Sequence, residues 1–167
     1  MSDGDSYDVA AYRRAHEDAQ RTLDKKLATF DEISTNAWQL IRFNGLVVAA
    51  IGTGLTVSKM SPVAIVNAGS VAGALLLVVS TVIALWAKRK RRVTAGPGQE
   101  AFEAIEAQGL SEVQYLWWIT TDQYPKWIAQ AETVSARKAK RVNIATYASL
   151  LGVATLVAGI LFTLYVP

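Results

Sequence analysis

The stretch MSPVAIVNAGSVAGALLLVVSTVIALWAKRKRR, residues 60–92, decides the fold of this chain. It has 28 uncharged residues followed by five consecutive cations, Lys88, Arg89, Lys90, Arg91 and Arg92. As a helix, the uncharged part reaches roughly 36–40 Å, enough to cross a hydrocarbon core of about 30 Å with some tilt. A basic block directly after an apolar helix is typical of the cytoplasmic end of a membrane span, where anionic lipid headgroups are the expected partner.

Two further uncharged runs, residues 43–58 and 142–167, accompany this stretch. The first is short, but Arg42 and Lys59 can extend it by snorkelling to the membrane surface. The sequence therefore predicts an all-α integral membrane protein with three transmembrane helices, at about 43–58, 63–87 and 142–167. The connection 58–62 is too short for anything but a tight hairpin, so we expect the first two spans to be antiparallel neighbours.

Charge distribution predicts the orientation of the three spans. The first two spans and the basic block occupy residues 42–92, and residues 93–141 separate them from the third span. With a cytoplasmic amino terminus, every cation of the chain except Lys59 lies on the inner side of the membrane. The positive-inside rule then favours a multi-pass protein of the cell membrane with its amino terminus in the cytoplasm and its carboxyl terminus outside. The alternative is a first run that re-enters or lies on the surface, which leaves two spans.

Residues 1–41 and 93–141 are predicted to be cytoplasmic helical segments. Apolar residues recur at helical steps through residues 7–41, and this amphipathic helix is expected to form a cytoplasmic bundle with helices in 99–141. Ser34, Thr35 and Asn36 interrupt the apolar stripe, which favours a bend and a new helix cap there. Ser111 and Gln114 have the spacing of a capping box.

Pro125 lies inside the helical pattern of the second cytoplasmic segment. Because proline cannot donate a backbone hydrogen bond, it is expected to kink that helix or to restart it with Thr121 or Asp122 as the cap. In the same segment, Trp117, Tyr124 and Trp127 keep helical phase and are expected to pack against the N-terminal stripe. Trp118 falls off that phase, so it is a candidate contact for the bilayer interface, a soluble cytoplasmic partner or a ligand.

Small residues mark candidate contact faces in the second and third spans. Gly69 and Gly73 form a small-xxx-small pair, while Ala145, Gly152 and Gly159 recur at seven-residue steps. Such residues let helix backbones approach closely in lipid. The pair in the second span suits packing on the first span or contact in a homo-oligomer. Neutral polar residues in the spans, among them Asn44, Asn67, Ser80 and Ser149, either satisfy helix contacts or line a wet pore in an oligomer.

The residue inventory offers no catalytic, metal or cofactor site. The chain has no cysteine and one histidine, His16, which is expected to be a solvated helix residue. No charged side chain lies within the apolar runs, which argues against a proton-coupled or ion-coupled transporter. The net charge of +3 sits largely beside the membrane, so nucleic acid is not an expected partner.

The segment DEISTNAWQLIRFNGLVVAAIGTGLTV, residues 31–57, resembles small membrane proteins of halophilic archaea. The order of an amphipathic helix, a tight two-span hairpin and a further cytoplasmic helix also resembles the SLATT-type membrane effectors of prokaryotic defence systems. That resemblance implies an oligomeric, pore-forming or membrane-disrupting protein that a partner triggers. We therefore expect a non-enzymatic, self-associating membrane protein. The alternative is a membrane anchor or scaffold that recruits a soluble partner.

Overall fold

A computed structural model describes residues 3–57, 66–89 and 109–165, together with Glu103 and Ala107. Its helices are α1 (Asp3–Val57), α2 (Ala68–Lys88), α3 (Glu112–Trp118), a π-helical turn (Ile119–Gln123) and α4 (Tyr124–Tyr165). The described residues contain no strand, so the all-helical prediction is confirmed. Three helical stretches are long and apolar enough to cross a membrane: Val9–Val57, Ala68–Lys88 and Glu112–Thr163.

The first helix is continuous over 55 residues. It runs through Ser34, Thr35 and Asn36, so no new helix begins there and the predicted cap at that site is wrong. Hydroxyl and amide side chains are tolerated inside a helix when other contacts hold it, and local propensity is then overridden. The helix also continues through residue 41, where the predicted cytoplasmic segment meets the predicted first span.

The second helix starts later than residue 63. Asn67 has an extended backbone and is the N-cap, and its side-chain oxygen accepts a hydrogen bond from the Ser70 backbone N–H at 2.8 Å. The Ser70 hydroxyl accepts from the Asn67 N–H at 3.0 Å, which completes a capping box. The tight hairpin predicted at 58–62 lies outside the described residues.

The third helical segment begins as predicted. The Ser111 side chain accepts from the Gln114 N–H at 3.3 Å, and the Gln114 side chain accepts from the Ser111 N–H at 3.0 Å, which confirms the capping box. Gly109 has a φ of 59°, a backbone conformation that glycine adopts readily after a helix. Glu103 and Ala107, the two described residues between 90 and 108, are helical.

The chain divides into two compact units. The amphipathic unit comprises Met1–Asp31 and Arg91–Ala136, and its core is formed by Leu23, Ile119, Tyr124, Trp127 and Ala131. The apolar unit comprises Glu32–Lys90 and Arg137–Pro167 and contains the apolar parts of α1, α2 and α4. Its first core cluster joins Ala37, Ala87 and Val142, one from each helix, with Ile33 packed against them.

Candidate functional site

The glycines of α2 and α4 lie against each other inside the apolar unit. A Cβ placed on Gly73 would come within 2.5 Å of the Leu156 backbone nitrogen, and one on Gly159 within 2.5 Å of the Ser70 nitrogen. A Cβ placed on Gly69 would lie 3.1 Å from the Gly159 Cα, and one placed on Gly152 would lie 3.1 Å from the Gly73 oxygen. Both small-residue faces are therefore occupied within one chain.

Two partners were predicted as alternatives for the α2 face, the first span and a second copy of the chain, but in the structure α4 occupies that face. The nearest atoms to Gly69 and Gly73 on a neighbouring helix belong to α4. A sequence pattern identifies a face that suits close approach, but it does not say which of two other small-residue helices fits it. Ala145, the third member of the α4 seam, is fully buried, and its carbonyl accepts the Ser80 hydroxyl at 2.7 Å.

A buried polar network joins all three apolar helices at Asn44, which is 3% exposed. The Asn44 amide donates to the hydroxyls of Ser80 at 3.1 Å and Thr81 at 3.0 Å in α2. Its oxygen accepts the Ser149 hydroxyl of α4 at 2.5 Å. The Ser80 hydroxyl donates its proton to the Ala145 carbonyl, so its oxygen is free to accept the hydrogen bond from the Asn44 amide. These groups thus make helix contacts, the first of the two roles considered for them.

Asn67, at the start of α2, also makes hydrogen bonds between helices. Its side-chain nitrogen donates to the Gly159 carbonyl and to the Thr163 hydroxyl, both at 2.6 Å. The residue that caps α2 therefore also ties that helix to α4.

The apolar part of α1 has one face without a neighbour among the described residues. Only 6% of its apolar window is buried, against 22% and 28% for the other two stretches. Cβ atoms placed on Gly45 and Gly52 meet no described atom within 4 Å. Together with exposed Ala49 and Thr56 they share an arc of about 60° on the helix. Their 4-3-4 spacing is the spacing of a close-packed helix seam.

The basic end of the apolar unit combines cations with tryptophan rings. The Lys88 ammonium lies 3.8 Å from the centre of the Trp38 ring, and the Arg141 guanidinium lies 5.4 Å from that of Trp86. Lys88 and Arg89 are exposed. The other predicted membrane-surface cations, Lys90, Arg91 and Arg92, lie outside the described residues.

Tyr124 and Trp127 lie in the core of the amphipathic unit with Leu23 of α1, as the helical phase predicted, whereas the two tryptophans before the π-helical turn do not follow that prediction. Trp118 packs against the core, whereas Trp117 is 51% exposed, so the expected roles of these two residues are reversed. The cause is the π-helical turn. In an α-helix, Ile119 and Tyr124 would point about 140° apart, but the wider turn brings both into the core.

The same turn accommodates Pro125 without a new helix cap. The Tyr124 N–H donates to the Ile119 carbonyl, five residues back, so the helix continues into α4. The Thr121 hydroxyl donates to the Trp117 carbonyl at 2.6 Å, and the Asp122 carboxylate pairs with Lys126 at 2.7 Å. Neither side chain caps a helix, so the predicted restart is wrong.

Tyr124 is buried in the core of the amphipathic unit. Desolvation raises the pKa of its hydroxyl, and the nearby Tyr115 and Asp24 raise it further. His16 packs edge-on against the Tyr124 ring at 5.2 Å, and its Nδ1 is buried, so the expected fully solvated histidine is wrong. Across residues 3–57, 66–89 and 109–165, no three His, Asp or Glu side chains are grouped so that they could hold a metal ion.

Comparison of the chain with protein-family models, with curated proteins and with solved structures finds no match.

Proposed function

We propose that this chain is a non-enzymatic, multi-pass membrane protein that self-associates through the open face of α1. The observation that carries the proposal is the seam of Gly45, Ala49, Gly52 and Thr56, which has no described neighbour. In lipid, a helix gains little from exposing small residues, because close approach and weak hydrogen bonds drive helix association. The α2–α4 contact uses the same kind of seam inside the chain. A second copy of this chain is therefore the partner that we propose for the seam on α1.

The orientation proposed for the assembly follows the positive-inside rule. The amino terminus and the amphipathic unit lie in the cytoplasm, and the carboxyl terminus lies outside. Perturbation of the membrane barrier is the proposed output, as the resemblance to SLATT-type effectors implies. A pore would have to form between copies, because Asn44, Ser80 and Ser149 already satisfy one another within the chain.

Single-cysteine crosslinking tests the self-association directly, because the chain contains no cysteine. In membranes, Gly52→Cys should give a covalent dimer on oxidation, whereas Val78→Cys, on an exposed face of α2, should not. Ala49→Leu should reduce association, and Ala72→Leu, the same change at an exposed α2 position, should leave it intact. Equal crosslinking at both cysteines, or a monomer in lipid, would contradict the proposal.

The proposed output has a separate test. Expression in cells, or reconstitution in vesicles, should lower the membrane potential in the wild type and less so in Ala49→Leu. An unchanged potential in a confirmed oligomer would eliminate barrier perturbation and leave self-association standing.

A membrane scaffold is the second candidate function, and the exposed Trp117 favours it. Large aromatic side chains are enriched where proteins bind partners, and this one lies outside the core of the amphipathic unit. Trp117→Ala should abolish co-purification of a soluble partner without loss of membrane insertion. Thr121→Ala, also exposed on the same segment, is the control. Partner recovery that is equal in both variants would argue against this role.

A further inference from the structure

We propose that α2 carries a binding site for one anionic phospholipid at the basic end of the apolar unit. The site is a shallow, largely open cleft of about 550 Å³, and its described lining residues, Val82, Leu85, Trp86, Lys88 and Arg89, all lie on α2 or at its C-cap. An acyl chain would lie along the apolar part, and the phosphate would bind the two cations.

The lining of the cleft changes from apolar to cationic within about two helical turns. Val82, Leu85 and Trp86 are all half-exposed or more, and the next two lining residues are Lys88 and Arg89. A ligand that fits this lining must itself be apolar along most of its length and anionic at one end. An anionic phospholipid has that form, and charge complementarity selects it over a zwitterionic one.

Two neighbouring contacts hold the cationic end in place. Trp86 lies under the Arg141 guanidinium of α4, which brings a third positive charge beside the apolar wall. Lys88 lies over the Trp38 ring of α1. Stacking of this kind restricts long side chains and leaves their charge available to an anion.

Backbone groups do not supply the anion affinity. The cleft lies at the C-terminal end of α2, where the helix dipole attracts cations and repels anions. The Arg89 N–H is already donated to the Leu85 carbonyl at 3.1 Å. Phosphate binding must therefore come from the side chains, which makes the site sensitive to their replacement.

The test titrates the detergent-purified full chain with phosphatidylglycerol and counts bound lipid by native mass spectrometry. Each cation near an anionic headgroup is worth about fivefold in affinity, so Lys88→Gln with Arg89→Gln should weaken binding by roughly 25-fold. The matched control, Arg137→Gln with Lys140→Gln, removes two exposed cations from α4 and should bind like the wild type. Arg89→Gln alone leaves both cation–ring contacts in place and should weaken lipid binding by about fivefold. This single variant replaces the double variant in the test if the double variant fails to fold.

Three results would overturn the proposal. Equal binding of phosphatidylcholine would indicate an ordinary lipid-facing surface. Equal weakening by the control pair would indicate diffuse charge and no defined site. Competition by inorganic phosphate at the same concentration as phosphatidylglycerol would show that the apolar wall contributes nothing.

Discussion

Gly73→Ala should destabilise the apolar unit, although alanine is the better helix former in general. The added Cβ would lie 2.5 Å from the Leu156 nitrogen, 2.6 Å from the Leu156 Cβ and 2.7 Å from the Gly152 oxygen. None of these atoms is the flexible end of a side chain. Relief therefore requires α2 and α4 to separate by roughly 1 Å, which weakens the dispersion contacts along the pair.

The size of the effect follows from a matched control. Gly54→Ala adds the same methyl group where no described atom lies within 4 Å, outside the proposed α1 seam. Both variants gain the same helix propensity, up to about 1 kcal/mol. Overpacking costs about 1–3 kcal/mol and acts on Gly73→Ala alone. The two variants should differ in free energy of unfolding by that amount.

Unfolding in mixed micelles with increasing denaturing detergent, followed by circular dichroism, measures this difference. Replacing Gly69 and Gly73 together by leucine should prevent folding of the α2–α4 pair altogether. If Gly73→Ala and Gly54→Ala have the same stability, the close contact between α2 and α4 is refuted. The polar network that depends on it is then refuted as well.

Three further outcomes are expected. Asn44→Ala should lower the free energy of unfolding of the apolar unit by about 2 kcal/mol, because several interhelical hydrogen bonds are lost at once. The control Thr53→Ala should change it little, because the Thr53 hydroxyl donates only within α1. Trp118→Ala should destabilise the amphipathic unit by about 1–3 kcal/mol and Trp117→Ala by less than about 0.5 kcal/mol, measured by thermal unfolding. The pKa of Tyr124 is raised in the folded chain, so the unfolded chain loses the hydroxyl proton at lower pH than the folded chain does. The free energy of unfolding should therefore fall as pH rises above about 10, and Tyr124→Phe should remove this pH dependence.

Each of these has a result that contradicts it. Equal losses for Asn44→Ala and Thr53→Ala would show that the network does not join the helices. Equal losses for the two tryptophan variants would refute the effect of the π-helical turn on their burial. Parallel stability curves between pH 9 and pH 11.5 for the wild type and Tyr124→Phe would show that burial of that hydroxyl has no energetic consequence.

The membrane class was predictable because long uncharged runs are a strong signal. Element boundaries and helix partners were less so. Asn67 reads as a polar residue inside a span, yet its side chain can satisfy the first turn of α2, and that capping moves the helix start. The partner of Gly73 depends on the three-dimensional fit of Leu156, which no periodicity reveals.

Phase errors account for the reversed tryptophans. Counting in steps of three and four residues assumes an α-helix throughout, and five residues of π-helix shift every position on one side of it. Pro125 was a signal of an irregularity nearby. It did not indicate that the irregularity would precede the proline and preserve the helix, because kinks, caps and π-helical turns can all accommodate a residue that has no N–H to donate.

The contacts around Asn44 are made entirely of neutral groups, and this has an electrical consequence. A transmembrane voltage acts on an elementary charge with about 2.3 kcal/mol per 100 mV. From Phe43 to Val57, from Ala68 to Ala87 and from Val142 to Tyr165 the chain carries no such charge. In the membrane arrangement proposed above, changes in membrane voltage would therefore have almost no direct effect on the packing of these helices.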